Sequence, residues 1–144
     1  MSDKLVSIII LTFNRKDFIK KAIDSVFKQT YKNIELVIVD DGSTDNTIDY
    51  LKKLVKDGNY DKSRIKIYSH FINRGIPATL NFGFSRSSGE YICQLSSDDF
   101  YIDEDKIKKQ VEILDRKENQ DVGLIYTDYM FKDLDEDKQW NVNC

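Results

Sequence analysis

The sequence is poor in the residues from which small proteins build cross-links and irregular turns. Two cysteines, Cys93 and Cys144, and a single histidine, His70, are spread over 144 residues, so neither a disulfide framework nor a structural zinc site has ligands to draw on. Cys93 reads as a buried strand thiol. One proline and six glycines exclude a linker-rich chain, and a hydrophobic share of 40% excludes a disordered one. The longest apolar run, residues 5–13 (LVSIIILTF), falls well short of the roughly 18 residues of a membrane span. The opening MSDK has no positive excess and no small-residue cleavage site follows it. No signal peptide is therefore predicted, and a cytoplasmic location is expected. With 22 basic against 25 acidic residues the net charge is −3, which predicts no nucleic-acid partner. The length suits one domain covering residues 1–144.

Two hydrophobic periods alternate along the chain. Strand-like runs occupy residues 5–13, 34–39, 65–69, 91–95 and 122–126. Helical stripes lie between them: Phe18, Ile19, Ala22, Ile23, Val26 and Phe27, then Ile48, Leu51, Leu54 and Val55, then Ile107, Val111 and Leu114. Residues 76–87 form a weaker helical pattern, with Pro77 suited to its first turn. Nearly continuous Ile, Val and Leu predict strands buried on both faces, and the β-α-β-α order predicts parallel pairing. The expected architecture is a three-layer α/β/α sandwich with a mainly parallel central sheet.

Ligands of such sheets bind beyond the carboxyl ends of the strands. Those ends read Thr12-Phe13-Asn14, Asp40-Asp41-Gly42-Ser43, His70 onward, and Ser96-Ser97-Asp98-Asp99. Two of them carry adjacent carboxylates, whose repulsion costs stability unless a cation or hydrogen-bond donors offset it. Ser43 or Thr44 is placed to cap the following helix, with Asp45 in its first turn. Asp103, Glu104 and Asp105 are better helix-start residues than Asp98 and Asp99. That leaves Asp98 and Asp99 for a hard divalent cation, Mn2+ or Mg2+, bridging to a diphosphate.

The first strand, the VDDGS turn, the NRG segment, the GEYI strand and the acidic SSDD turn, taken together, resemble the nucleotide-sugar-binding half of the family-2 glycosyltransferases of the GT-A fold. The resemblance runs from about Ser7 to about Tyr129. It implies a GT-A (Rossmann-like) domain that binds a UDP- or GDP-sugar with a divalent metal for inverting transfer to the hydroxyl of a glycan, lipid or protein acceptor. It places Thr12 and Asn14 around the nucleoside, with Asp40, Asn81 and Ser97 also at the donor. Asp41 accepts from the base, Asp98 holds the metal on the diphosphate, and Asp99 stands beside it. Uracil and guanine offer an N–H to Asp41, whereas cytosine presents an acceptor at N3.

Three departures accompany the resemblance. Ser96 stands where the family usually has the first Asp of Asp-x-Asp-Asp, and Leu80 where many relatives have an Arg before the Asn. Family members are also usually longer, so the general base is expected beyond Cys144, in a portion that binds the acceptor. The late acids Asp128, Asp133, Asp135, Glu136 and Asp137 read as a hairpin with a charged turn. A non-catalytic nucleotide-sugar-binding module and a nucleotidyltransferase remain as alternatives. The latter would want a basic Gly-rich loop, and NRGIPAT offers only Arg74. A receiver-type domain would carry its acids after the first strand, where this chain has Thr12-Phe13-Asn14.

Overall fold

A computed structural model describes residues 3–125, 127–132 and 139–142. Four strands, β1 (Val6–Thr12), β2 (Ile34–Asp40), β3 (Ile65–Ser69) and β4 (Tyr91–Ser96), form one sheet in the order β3-β2-β1-β4. Every neighbouring pair is parallel, and the register sets Thr12 beside Asp40, Asp40 beside Ser69 and Leu11 beside Ser96. All four carboxyl ends therefore reach the same rim. The helices α1 (Ile19–Phe27), α2 (Thr47–Asp57) and α3 (Ile76–Arg86) connect the strands, and α4 (Lys106–Leu114) follows β4. Among the described residues no helix is long and apolar enough to cross a membrane.

Burial follows strand position. Central β2 is buried throughout and β1 everywhere but Leu11, whereas β3 is half-buried at the edge. β4, the other edge, alternates, with Ile92, Gln94 and Ser96 exposed. On one face of the sheet Ile9, Val37 and Val39 pack with Leu80 and Phe82 of α3. Gly83 permits that approach, because a Cβ there would stand 2.7 Å from Ile9 Cγ2. Ile8, Ile10, Leu36 and Ile38 point to the opposite face and are equally inaccessible. Both faces are thus covered, and each of these side chains contributes about 1.5–3 kcal/mol by leaving water.

The chain divides into two compact units, residues 1–109 and residues 110–144. The second contains an antiparallel pair, β5 (Tyr129–Lys132) and β6 (Gln139–Val142). That is the expected hairpin, and its turn at 133–138 lies outside the described residues. The strand expected at 122–126 does not form over residues 122–125, and Tyr126 lies outside the described residues. Val122 and Leu124 are exposed there, without the ladder partner that a strand requires.

Helix α2 begins at Thr47, later than a Ser43 or Thr44 cap would place it. Asn46 takes a left-handed conformation at φ 64°, and Asp45 Oδ1 accepts from the Thr47 N–H at 3.0 Å. Ser43 and Thr44 instead tie two turns together. Asn14 N–H donates to Ser43 Oγ at 2.9 Å, and Thr44 N–H donates to Asn14 Oδ1 at 2.8 Å. Cys93 is half-buried rather than buried, since it lies on the edge strand, and its Sγ stands 3.1 Å from the Tyr101 hydroxyl. Cys144 lies outside the described residues.

Glu35 sits at the rim opposite the acidic strand ends, with its residue only 7% exposed. It accepts from the Ser7 hydroxyl at 2.5 Å and the Ser88 N–H at 2.5 Å, and Lys66 Nζ lies 2.7 Å away. Burial opposes its charge, but the Lys66 pair and the bonds from Ser7 and Ser88 outweigh it and hold the carboxyl below its ordinary value of 4.5. A carboxyl lowered by folding stabilises the fold above its unfolded value and loses that contribution as pH falls through the folded one. Glu35→Ala should therefore cost about 2–4 kcal/mol at pH 7, by orphaning buried donors. In urea titrations the gap between wild type and variant should narrow as pH falls below 4.5, where the charge-dependent part is lost. A pH-independent gap would mean that the charge contributes nothing.

Candidate functional site

A cleft of about 500 Å³ opens at the acidic rim. Phe13 and Arg15 follow β1, Thr12 ends it, Ser96 ends β4, and Ser97 and Asp98 follow β4. Asn73, Gly75, Ile76 and Thr79 line it from the β3–α3 loop and the first turns of α3, and Asp41 enters from the end of β2. β1 pairs with β2 on one side and β4 on the other. The cleft thus lies where the strand order reverses, the position at which open parallel sheets leave a crevice.

The two acids after β2 have different surroundings. Asp40, 1% exposed, accepts from the Ser43 N–H at 3.1 Å, the Ser43 hydroxyl in a short bond, and the Ser69 hydroxyl at 3.0 Å. It braces the turn and does not line the cleft. Asp41 accepts from the Arg74 N–H at 2.8 Å through Oδ1 and from the Gly75 N–H at 2.9 Å through Oδ2. Backbone and hydroxyl donors offset the repulsion of this pair. Each Asp41 oxygen keeps a second lone pair, and the residue lines the cleft.

The acids after β4 lie open. Asp99 N–H donates to Ser96 O at 3.1 Å and closes the turn. Partial desolvation first, and the adjacent Asp98 second, push the carboxyl of the exposed Asp99 above the usual range, against a bond from Ser96. Asp98 lines the cleft, half exposed, with Arg15 Nε 3.6 Å from its Oδ2. Among the described residues no group of three His, Cys, Asp or Glu converges on a point. Two adjacent carboxylates suit an ion that takes its other ligands from phosphate and water, as Mg2+ and Mn2+ do.

Of the residues expected at a donor, Thr12, Asp41, Ser97 and Asp98 meet in the cleft. Asn14, at φ 52°, holds the β1 turn through Thr44, Asn81 lies exposed on α3, and Asp99 stands beside the cleft rather than in its wall. Thr12 is 2% exposed and its hydroxyl has no partner. Sequence reasoning passed over Arg15, Asn73, Thr79 and Gln94, all in the lining. Arg15 carried a signal, being the first charge after β1. Thr79 carried none, because its place follows from how α3 crosses the sheet.

A parallel sheet of this order with a crevice at its strand ends is shared with the GT-A glycosyltransferases among solved structures. The structure of mannosyltransferase PcManGT from Pyrobaculum calidifontis, in complex with GDP-Man and Mn2+, matches with a TM-score of 0.73 at 22% identity, over 79% of this chain and 33% of that one. The S. aureus TarS 1-349 structure in complex with UDP matches at 0.67 and 28% identity, over 77% of this chain and 32% of that one. Residues 7–142 match the model of glycosyl transferase family 2, and the chain belongs to that family. An uncharacterized glycosyltransferase of Rickettsia felis is 43% identical over 125 residues, which cover 87% of this chain and 19% of that protein. The chain thus spans about a fifth of that relative's length.

Proposed function

We propose that the cleft binds a nucleoside-diphosphate sugar, with UDP or GDP as the nucleotide, together with a divalent metal at Asp98 and Asp99, for inverting transfer to an acceptor hydroxyl. The observation that carries this reading is the convergence of Thr12, Asp41, Ser97 and Asp98 at the strand-order reversal. The likeness to TarS, whose structure contains UDP, supports the nucleotide.

Each residue has a chemical part in this reading. Asp41 accepts from an N–H of the base, its carboxylate held in place by the Arg74 and Gly75 N–H groups. Thr12 and Ser97 offer hydroxyls in the wall. A metal on Asp98 and Asp99 would neutralise the departing diphosphate. The acceptor's proton goes to a general base, which we place in the family's acceptor-binding portion.

Cytosine would set its N3 lone pair against Asp41. UDP should accordingly bind about tenfold or more tighter than CDP, the difference between a charge-assisted bond and an unpaired acceptor. Asp41→Asn should reduce that ratio, and it would also turn an amide N–H2 toward the Arg74 or Gly75 N–H. Equal affinities of the wild-type chain for UDP and CDP, measured by calorimetry with manganese, would contradict base reading by Asp41.

A further inference from the structure

Arg15 is the one basic side chain among the residues lining the cleft, and it is already engaged. Its Nε lies 3.6 Å from Asp98 Oδ2, across the gap between the ends of β1 and β4. Its carbonyl accepts from the N–H groups of Phe18 and Ile19, both at 3.1 Å, which ties its backbone to the start of α1. The side chain is 48% exposed and that of Asp98 50%. A pair so exposed, and longer than a hydrogen bond, is worth at most about fivefold in an equilibrium constant. Such a pair is weak enough to be exchanged.

A diphosphate brings its own negative charge to a cleft that already presents Asp41 and Asp98. A single divalent ion leaves an excess of negative charge there. The guanidinium is planar, permanently charged and shaped for phosphate oxygens. We propose that Arg15 is an exchangeable counter-ion: it pairs with Asp98 in the nucleotide-free cleft, then yields that carboxylate to the metal and turns to the diphosphate. The proposal rests on the nucleotide reading above and adds a binding residue to it. It has a signature that a structural role lacks, because Arg15 competes with metal for Asp98 yet assists the nucleotide.

The test uses the 144-residue chain with two probes, Mn2+ alone followed by the EPR signal of free ion, and UDP followed by calorimetry at saturating Mn2+. Arg15→Gln should bind Mn2+ alone about two- to fivefold tighter, the competing cation being gone. It should bind UDP about 10- to 30-fold more weakly, with an unchanged melting temperature. Arg15→Lys should recover part of the UDP affinity as a point charge without the fork. Two constants within twofold of wild type, or two that weaken together, would overturn the exchange while leaving the nucleotide reading intact. A wild-type chain that binds neither probe would contradict the nucleotide reading itself, and the exchange with it.

Discussion

Asp98→Ala should weaken UDP binding in saturating manganese by about 100-fold or more, because groups merely supporting a metal ligand already cost 10- to 100-fold. Asp98 is the only carboxylate of the SSDD turn that lines the cleft. The sign should reverse without metal. In EDTA the wild-type carboxylate only repels a diphosphate, so the variant should bind UDP at least as well as wild type. Calorimetric titrations of both proteins under both conditions give the four constants. A similar loss with and without metal would show that Asp98 contacts the nucleotide directly or supports the fold.

Gly42→Ala should be the most destabilising small substitution at the site. Gly42 has φ +75°, and an added Cβ would meet Ile72 C at 2.7 Å and Asn73 N at 2.8 Å, both backbone atoms. The left-handed conformation costs about 1–2 kcal/mol for a side-chain-bearing residue, and forced overpacking costs about 1–3 kcal/mol more. A total of about 3 kcal/mol corresponds to a melting temperature about 10 °C lower at this size. The displaced segment is the loop whose Arg74 and Gly75 N–H groups hold Asp41, so UDP affinity should fall with stability. Gly123→Ala is the control, since nothing lies within 4 Å of the added carbon. Equal melting temperatures for the two variants would mean that the β3–α3 loop yields freely.

What could be read from the sequence divides along physical lines. β3 begins and ends where its apolar run does, at Ile65 and Ser69, because the run ends in polar residues that cannot continue a half-buried strand. α3 starts at Ile76 with Pro77 in its first turn, as the fixed φ of proline favours. The acidic strand ends reached one rim because parallel pairing aligns all carboxyl ends, so Asp41 and Asp98 could be joined from topology alone.

The remainder depended on contacts distant in sequence. The start of α4 is held by Gln29, buried at 1%, whose Oε1 accepts from the Ile107 N–H at 3.1 Å and whose amide donates to Asp103 O at 2.9 Å. No local cap signal reports such a bond. Asp40 and Asp41 looked alike as neighbours, yet Ser69 claims one, and the N–H groups of Arg74 and Gly75 claim the other. Their division into a turn brace and a cleft wall is a property of the assembled loops. The run at 122–125 failed as a strand because apolar content does not supply a pairing partner.

The most direct measurement of the central claim is a calorimetric titration of UDP into the wild-type chain, first with manganese and then with excess EDTA. The account predicts one-to-one binding with the metal and about 100-fold or more weaker binding after chelation, since Arg15 alone cannot balance the diphosphate, Asp41 and Asp98. Binding of equal strength in EDTA, or no binding under either condition, would contradict a metal-assisted nucleotide site at this rim.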